Sequence, residues 1–214
     1  MKLDRESMIL YVVTDRGWLG NNSFIKQVEE VLQNGATFLQ LREKDLSYND
    51  FLKEAMEIKV LADKYKVPFV INDNVEIALA CNADGVHVGQ DDMPAKEVRS
   101  LIGENKILGV SVQTVEQAIK AEKDGADYLG VGAIFSTSTK PDADTVSVET
   151  LKTICQRVSI PVVAIGGINE KNIMELKGTG ISGVAVVSAI FASPDIARAT
   201  RTLFELSKRM VSSS

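Results

Sequence analysis

An amide and two basic side chains occupy every second position in the later part of the stretch FLQLREK, residues 38–44. The apolar residues among them predict a β-strand, in which side chains two positions apart lie on the same face. Leu39 and Leu41 then face a hydrophobic core, while Gln40, Arg42 and Lys44 share the opposite face. Because buried charges need a partner, we expect a small anionic ligand to neutralise these cations.

Acidic residues follow two apolar runs further along the chain, as Asn72-Asp73 and as Asp91-Asp92. Taken singly, each pair has a simpler interpretation, as a helix cap or a solvated turn. On neighbouring strands, however, Asp73 and one of Asp91 or Asp92 can hold Mg²⁺, which takes one or two carboxylates and completes its shell with phosphate and water. With Lys140 and the cations of FLQLREK, they predict a metal-bridged phosphate site.

A second phosphate site is predicted near the end of the chain. Gly166-Gly167 and Val187-Ser188, with their backbone N–H groups, lie toward the ends of the last two apolar runs. Barrels often bind phosphate after strands seven and eight. Two anion sites imply two phosphorylated substrates.

Composition limits the classes of function. The chain has 214 residues, a net charge of −5 and a pI near 5.1, which give no general attraction to nucleic acid or to an anionic membrane. It shows no signal peptide and no apolar run of membrane-spanning length, so we expect a cytoplasmic protein. Cys81 and Cys155 are expected to be free thiols. Composition leaves open whether the chain forms a homo-oligomer.

These residues must be positioned by a repeating unit. Eight apolar, β-branched runs alternate with segments of helical spacing, which predicts an α/β fold, a (β/α)₈ TIM barrel. The runs are 9–15, 37–43, 68–73, 85–89, 106–112, 127–132, 161–167 and 183–190. We expect a single domain over residues 1–214, with a frayed tail at 212–214. An open doubly wound sheet is the alternative, but no GxGxxG follows the first strand.

In a barrel the active site lies at the carboxyl ends of the strands. Ser111 lies in the fifth predicted strand, and a long polar loop after the sixth, residues 133–146, carries Thr137, Thr139 and Lys140. Such a long connection usually serves a site. The only histidine, His87, is mid-strand, where a hydrogen-bonded structural role is favoured over a general base.

Seven segments together resemble one enzyme family, thiamine-phosphate synthase, also called thiamine-phosphate pyrophosphorylase. The resemblance covers nearly the whole chain. The segments are QLREK (40–44), INDN (71–74), GVHVGQDD (85–92), LGVSV (108–112), DYLGVGAIFSTSTK (127–140), AIGGI (164–168) and VAVVSAI (184–190). The resemblance implies a transferase that joins 4-amino-5-hydroxymethyl-2-methylpyrimidine diphosphate to a thiazole phosphate, with Mg²⁺ as cofactor.

The resemblance also implies roles for individual residues, with Arg42, Lys44, Ser111 and Lys140 as the catalytic group. The pyrimidine diphosphate would contact Gln40, Leu41, Arg42, Glu43, Lys44, Asn72, Ser111 and Lys140. Mg²⁺ would be held by Asp73 and Asp92, and the thiazole phosphate by Thr137, Ser138, Thr139, Gly167, Val187 and Ser188. Two positions depart from the family pattern: Ser136 stands where Pro is frequent, and Ser147 where Gly is common.

In the mechanism that the resemblance implies, pyrophosphate leaves first and the thiazole nitrogen captures the pyrimidine carbocation. No activated nucleophile is needed, so the lack of a Ser-His or Cys-His pair is consistent with it. Three alternatives have different signatures. A thiazole tautomerase or a non-catalytic precursor binder would lack Asp73, Asp92 or Lys140, and a sugar-phosphate isomerase would need an acid/base pair at the rim.

Overall fold

Eight parallel strands close into a barrel in chain order, with the last strand paired to the first. The structure, a computed structural model, describes residues 3–19, 23–137 and 145–212. The strands are β1 (Leu10–Val13), β2 (Phe38–Leu41), β3 (Phe69–Asn72), β4 (Gly85–Val88), β5 (Ile107–Val112), β6 (Tyr128–Val131), β7 (Val162–Ile165) and β8 (Gly183–Val186). All eight predicted strands and the (β/α)₈ fold are confirmed.

Helices surround the barrel and connect successive strands. They are α1 (Phe24–Gln33), α2 (Tyr48–Tyr65), α3 (Val75–Ala80), α4 (Ala95–Ile102), α5 (Val115–Lys123), α6 (Val148–Arg157), α7 (Ser188–Phe191) and α8 (Ile196–Val211). Two details differ from the sequence prediction. The connection after β7 contains only a 3₁₀ helix, Ile173–Leu176, and the eighth apolar run leaves the sheet at Val186, so that Ser188 begins α7.

Short polar side chains begin several of these helices by accepting backbone N–H groups. Ser47 caps α2, Thr114 forms a capping box with Gln117 at α5, and Ser147 caps α6. The cap of α3 is Asn74, which accepts from the N–H of Ile77. The alternative interpretation of Asn72-Asp73 as a helix cap is therefore wrong, and both side chains remain available to the rim.

The core has two separate layers, as the alternation of side chains in the strands requires. Alternate strand residues fill the barrel interior, among them Tyr11, Phe38 and Tyr128, whose rings pack edge to face. The others, such as Leu39 and Leu41, pack outward against the helices. The barrel is thus a filled core, and only its ends have room for a ligand.

No helix of the described residues is long and apolar enough to cross a membrane. Cys81 and Cys155 are free thiols, as predicted. Two expectations include residues outside the described ranges and therefore stay predictions. They are the single domain over residues 1–214 and the frayed tail at 212–214.

Gly183 is predicted to be indispensable at the start of β8. A Cβ atom there would lie 1.9 Å from the carbonyl oxygen of Met8, and backbone cannot yield as a side chain can. We expect Gly183→Ala to lower the free energy of unfolding in urea by about 3 kcal/mol or more. The control is Gly178→Ala, where a Cβ meets nothing within 4 Å and only the positive φ of +79° opposes it; we expect about 1–2 kcal/mol there. Equal losses in both variants would contradict the packing argument.

Candidate active site

A cavity of about 290 Å³ opens at the carboxyl ends of the strands. Nine of the predicted site residues line it, contributed by strands or loops on all sides of the barrel. They are Gln40, Arg42, Asn72, Asp73, Ser111, Thr137, Gly167, Val187 and Ser188. The prediction that these distant segments meet at one rim is correct.

The two cations beyond β2 are paired with carboxylates of the protein itself. Lys44 Nζ donates to Asp73 Oδ2 at 2.6 Å, and Arg42 NH1 lies 3.6 Å from Asp15 Oδ2. The expectation that a ligand alone neutralises them is therefore wrong. Strand β2 ends at Leu41, so both side chains lie in the loop at the rim, where acidic residues of neighbouring loops reach them. An incoming anion would compete with these carboxylates.

Two carboxylates, Asp73 and Asp92, approach each other beside Lys44. Asp73 has a φ of 62°, uncommon for a residue other than glycine, and its N–H donates to the carbonyl oxygen of His87 at 2.8 Å. Asp92 Oδ2 accepts from the N–H of Gly89 at 2.7 Å. Partial desolvation and the charge of Asp73 raise the pKa of Asp92, while the Gly89 N–H opposes the rise. Two such carboxylates create a local demand for positive charge.

This pair fits a magnesium ion. Mg²⁺ is commonly bound through one or two carboxylates together with ligand phosphate and water. The described residues contain no group of three or more His, Cys, Asp or Glu side chains that could enclose a metal. A cation held by Asp73 and Asp92 would accordingly depend on a ligand for the rest of its shell. Asp91, the alternative metal ligand, lines the cavity and does not cap α4, whose N-cap residue is Pro94 and which has no side-chain cap.

The opposite side of the rim is built around Gly167. A Cβ there would lie 2.4 Å from the carbonyl oxygen of Ser136, so only glycine permits the loop after β6 to pack this closely. The carbonyl oxygen of Gly167 accepts from the side-chain amides of Asn169 and Asn172, at 3.1 and 2.9 Å. These contacts hold the Gly167 turn in place, and Gly167 lines the cavity together with Thr137.

Some predicted residues are not brought to the cavity. Leu41 is fully buried in the layer between barrel and helices, and the Glu43 side chain points away, toward Arg16. Lys44 and Asp92 lie at the rim outside the cavity lining. Ser138, Thr139 and Lys140 lie outside the described residues, so their roles stay predictions.

Sequence reasoning missed a row of hydrogen bonds beneath the cavity. Gln40 Nε2 donates to the hydroxyl of Tyr11, which lies 2.7 Å from the hydroxyl of Tyr128. Tyr128 in turn lies 2.9 Å from His87 Nδ1, and His87 Nε2 lies 2.8 Å from Ser111 Oγ. His87 is thus hydrogen-bonded, as expected. The signal available in the sequence was the position of these polar residues within their strands, which places their side chains on the inward face.

A buried acidic pair was also missed. Arg16 donates to both Glu43 and Glu54, whose side chains are 3% and 13% exposed. Burial raises the pKa of Glu54 to about 7, with Glu43 adding to the rise and Arg16 opposing it. Glu54 Oε1 has no hydrogen-bond partner among the described residues. The cluster ties the loop after β1 to the loop after β2, next to the Asp15–Arg42 pair.

Fold and rim together define a (β/α)₈ barrel with a cavity lined by charged and polar groups at the carboxyl ends of its strands, the usual place for an active site in this class of enzyme. Comparisons with known proteins give the particular family. Residues 10–190 match the family described as thiamine monophosphate synthase. The chain is 55% identical over 194 residues to thiamine-phosphate synthase of Clostridium tetani, covering 91% of this chain and 93% of that protein. The enzyme of Ruminiclostridium cellulolyticum is 55% identical over 197 residues, covering 92% and 94%.

A solved structure extends the similarity to three dimensions. Thiamine phosphate pyrophosphorylase from Pyrococcus furiosus superposes with a TM-score of 0.89 at 39% identity, covering 97% of this chain and 98% of that one. The chain therefore belongs to the thiamine monophosphate synthase family. It is a transferase of thiamine biosynthesis, and the family resemblance of its sequence segments is confirmed.

The buried Glu54 predicts a specific pH dependence of stability. Its pKa is raised from 4.5 to about 7, so between these values the folded state holds a proton that the unfolded state has released. Stability from this group is therefore complete below pH 4.5 and is lost as pH rises to about 7. Because the side chain keeps some contact with solvent, we expect the loss to be about 1–2 kcal/mol.

The Glu54→Gln side chain cannot ionise, so this variant should lack the part of the decline in unfolding free energy that Glu54 causes. Urea titrations below pH 4.5 and above about pH 7 measure the decline. Glu57→Gln, at an exposed position of the same helix, is the matched control and should keep the wild-type difference. A decline of wild-type size in Glu54→Gln would show that Glu54 is ionised throughout.

Proposed function

We propose that the protein joins 4-amino-5-hydroxymethyl-2-methylpyrimidine diphosphate to a thiazole phosphate, giving thiamine phosphate and pyrophosphate. One observation carries the proposal. A rim of cations and paired carboxylates, from Arg42 to Asp92, faces a glycine turn at Gly167 across a single cavity. The side with the cations and carboxylates suits a diphosphate with its metal, and the side with the glycine turn suits a monophosphate. A cytoplasmic location is part of this proposal.

The reaction begins with cleavage of the bond between the pyrimidine methylene carbon and the diphosphate oxygen. Both electrons leave with the oxygen, so negative charge grows on the pyrophosphate and positive charge on the carbon. Mg²⁺ held by Asp73 and Asp92 would supply the charge neutralisation that this departure needs. Arg42 and Lys44 would exchange their carboxylate partners for pyrophosphate oxygens, and Lys140 would join them from the loop after β6.

The lone pair of the thiazole nitrogen then forms the new carbon–nitrogen bond. No proton has to be removed, which agrees with a rim of cations and carboxylates rather than an acid/base pair. Thr137, Ser138, Thr139, Gly167, Val187 and Ser188 would hold the thiazole phosphate. The closely packed interior beneath the cavity limits the water that could compete for the cation.

Activity should require both substrates and a divalent ion. We expect thiamine phosphate and pyrophosphate to appear in equal amounts when the protein is incubated with both compounds and Mg²⁺. Excess chelator should abolish the reaction, because the leaving group is then not neutralised. Mass spectrometry of thiamine phosphate together with an enzymatic pyrophosphate assay measures both products. Absence of thiamine phosphate would refute the substrates, whereas full turnover in chelator would refute the metal.

The two adjacent aspartates should differ sharply. Asp92→Ala removes a proposed metal ligand, and a loss of about 4 kcal/mol of transition-state stabilisation corresponds to a rate roughly a thousandfold lower. Asp91→Ala is the matched control, since Asp92 is the carboxylate that lies beside Asp73, and we expect about a threefold effect or less. Single-turnover rates at rising Mg²⁺ separate them. If Asp91→Ala were the more damaging variant and added metal rescued it, the metal ligand would be Asp91.

A further inference from the structure

The hydrogen bonds beneath the cavity form one unbroken row across the barrel, from β2 to β5. In order, it links Gln40, Tyr11, Tyr128, His87 and Ser111 through their side chains. We refer to these five residues as the relay. Its two ends, Gln40 and Ser111, line the cavity, so the relay connects opposite walls of the site.

The relay lies in a closed environment. Tyr11 and Tyr128 are 1% and 0% exposed, and burial raises the pKa of both phenols well above its usual value. Gly109 provides the space, because a Cβ at that position would lie 2.2 Å from Tyr128 Cζ and 2.4 Å from His87 Nδ1. Both phenols therefore keep their single hydrogen.

One hydrogen per hydroxyl makes the relay directional. The Gln40 amide nitrogen donates to Tyr11, and both tyrosine hydrogens find an acceptor within the row when Tyr11 directs its own hydrogen to Tyr128. In this arrangement Tyr128 donates to His87 Nδ1, which is then the unprotonated ring nitrogen. The hydrogen of the neutral ring is consequently on Nε2, and it donates to Ser111 Oγ.

We propose that Tyr11, Tyr128 and His87 act as positioning residues that keep the Ser111 hydroxyl hydrogen directed into the cavity as a donor to a phosphate oxygen. The inference rests on the proposed function, in which that oxygen belongs to the diphosphate. The reverse direction would have opposite consequences. The Ser111 hydroxyl would then donate its hydrogen to His87 Nε2 and present a lone pair to an anion.

The direction can be measured directly, because the chain contains one histidine. With ¹⁵N-labelled histidine, the ligand-free protein should show a protonated Nε2 and an unprotonated Nδ1 in two-dimensional NMR spectra. Tyr11→Phe disconnects Gln40 from the row, and Tyr128→Phe removes the donor to Nδ1. Both variants should shift the ring toward a mixture of tautomers. Tyr65→Phe is the control, because its hydroxyl contacts Gln33 and Glu29 on the outer surface; it should leave the spectrum unchanged.

Binding of inorganic pyrophosphate with Mg²⁺ tests the consequence for the ligand. Tyr11→Phe should weaken the affinity by about tenfold, the usual effect of losing one hydrogen bond to a charged group. In a Ser111→Ala background, however, the same substitution should have no further effect, since the hydroxyl that it orients is gone. Isothermal titration calorimetry on the four proteins of this cycle measures the coupling, and a Tyr65→Phe cycle should show none.

A wild-type ring with its proton on Nδ1, or on both nitrogens, would overturn the direction of the relay. Additive losses in the Tyr11 and Ser111 cycle would overturn the positioning role and leave Tyr11 a merely structural residue. Failure of the proposed function is distinguishable from both, because it would appear as absent thiamine phosphate while the tautomer and the pyrophosphate coupling keep their predicted values.

Discussion

Closure of eight parallel strands is the constraint on which the site depends. Because every strand of a closed parallel barrel points the same way, residues that end strands far apart in the chain meet in one ring. Val13 and Val186 are separated by most of the sequence, yet β1 and β8 are hydrogen-bonded neighbours. The cavity is a consequence of this closure, since the interior below it is filled by side chains and leaves room only at the rim.

The two cations at that rim are already paired with carboxylates of the protein. Asp15 and Asp73 accompany Arg42 and Lys44, and these pairs are partly open to solvent. Ion pairs in such surroundings contribute little to stability, about 0–1 kcal/mol each. They can therefore be exchanged for substrate contacts at small cost, whereas a deeply buried pair could not. The arrangement keeps cations in place without locking them to their resident partners.

Beneath the rim the balance is different, because polar groups there have no solvent to replace a lost partner. The relay satisfies five buried or half-buried polar side chains in one row, and such a row is rigid only when every member is paired. In the cluster of Arg16, Glu43 and Glu54, ion pairs satisfy the buried polar groups instead. Burial there raises the pKa of the Glu54 carboxyl group. Rigid polar groups thus support a rim whose own contacts are exchangeable.

Much of this architecture could be predicted from the amino-acid order. Alternation in runs such as FLQLREK is a local property, and the eight runs with helical segments between them are sufficient to indicate a barrel. Since the strand ends of a barrel must converge, the set Gln40, Arg42, Asn72, Asp73 and Ser111 could be assigned to one cavity before any coordinate was known. Family resemblance then suggested the substrates of the proposed reaction, which residue types alone left open.

Tertiary structure decided the partners. Which carboxylate meets which cation depends on the distance between loops, and no local pattern indicates that Asp15 reaches Arg42. The relay required the same information, because Tyr11, Tyr128 and His87 belong to three different strands and meet only across the barrel interior. The sequence alone thus determined the strands, their order and the residues at the rim, since these follow from local periodicity and from closure. Only the folded chain determined the pairing of polar groups, because hydrogen bonds and ion pairs depend on distances of a few ångströms between segments remote in sequence.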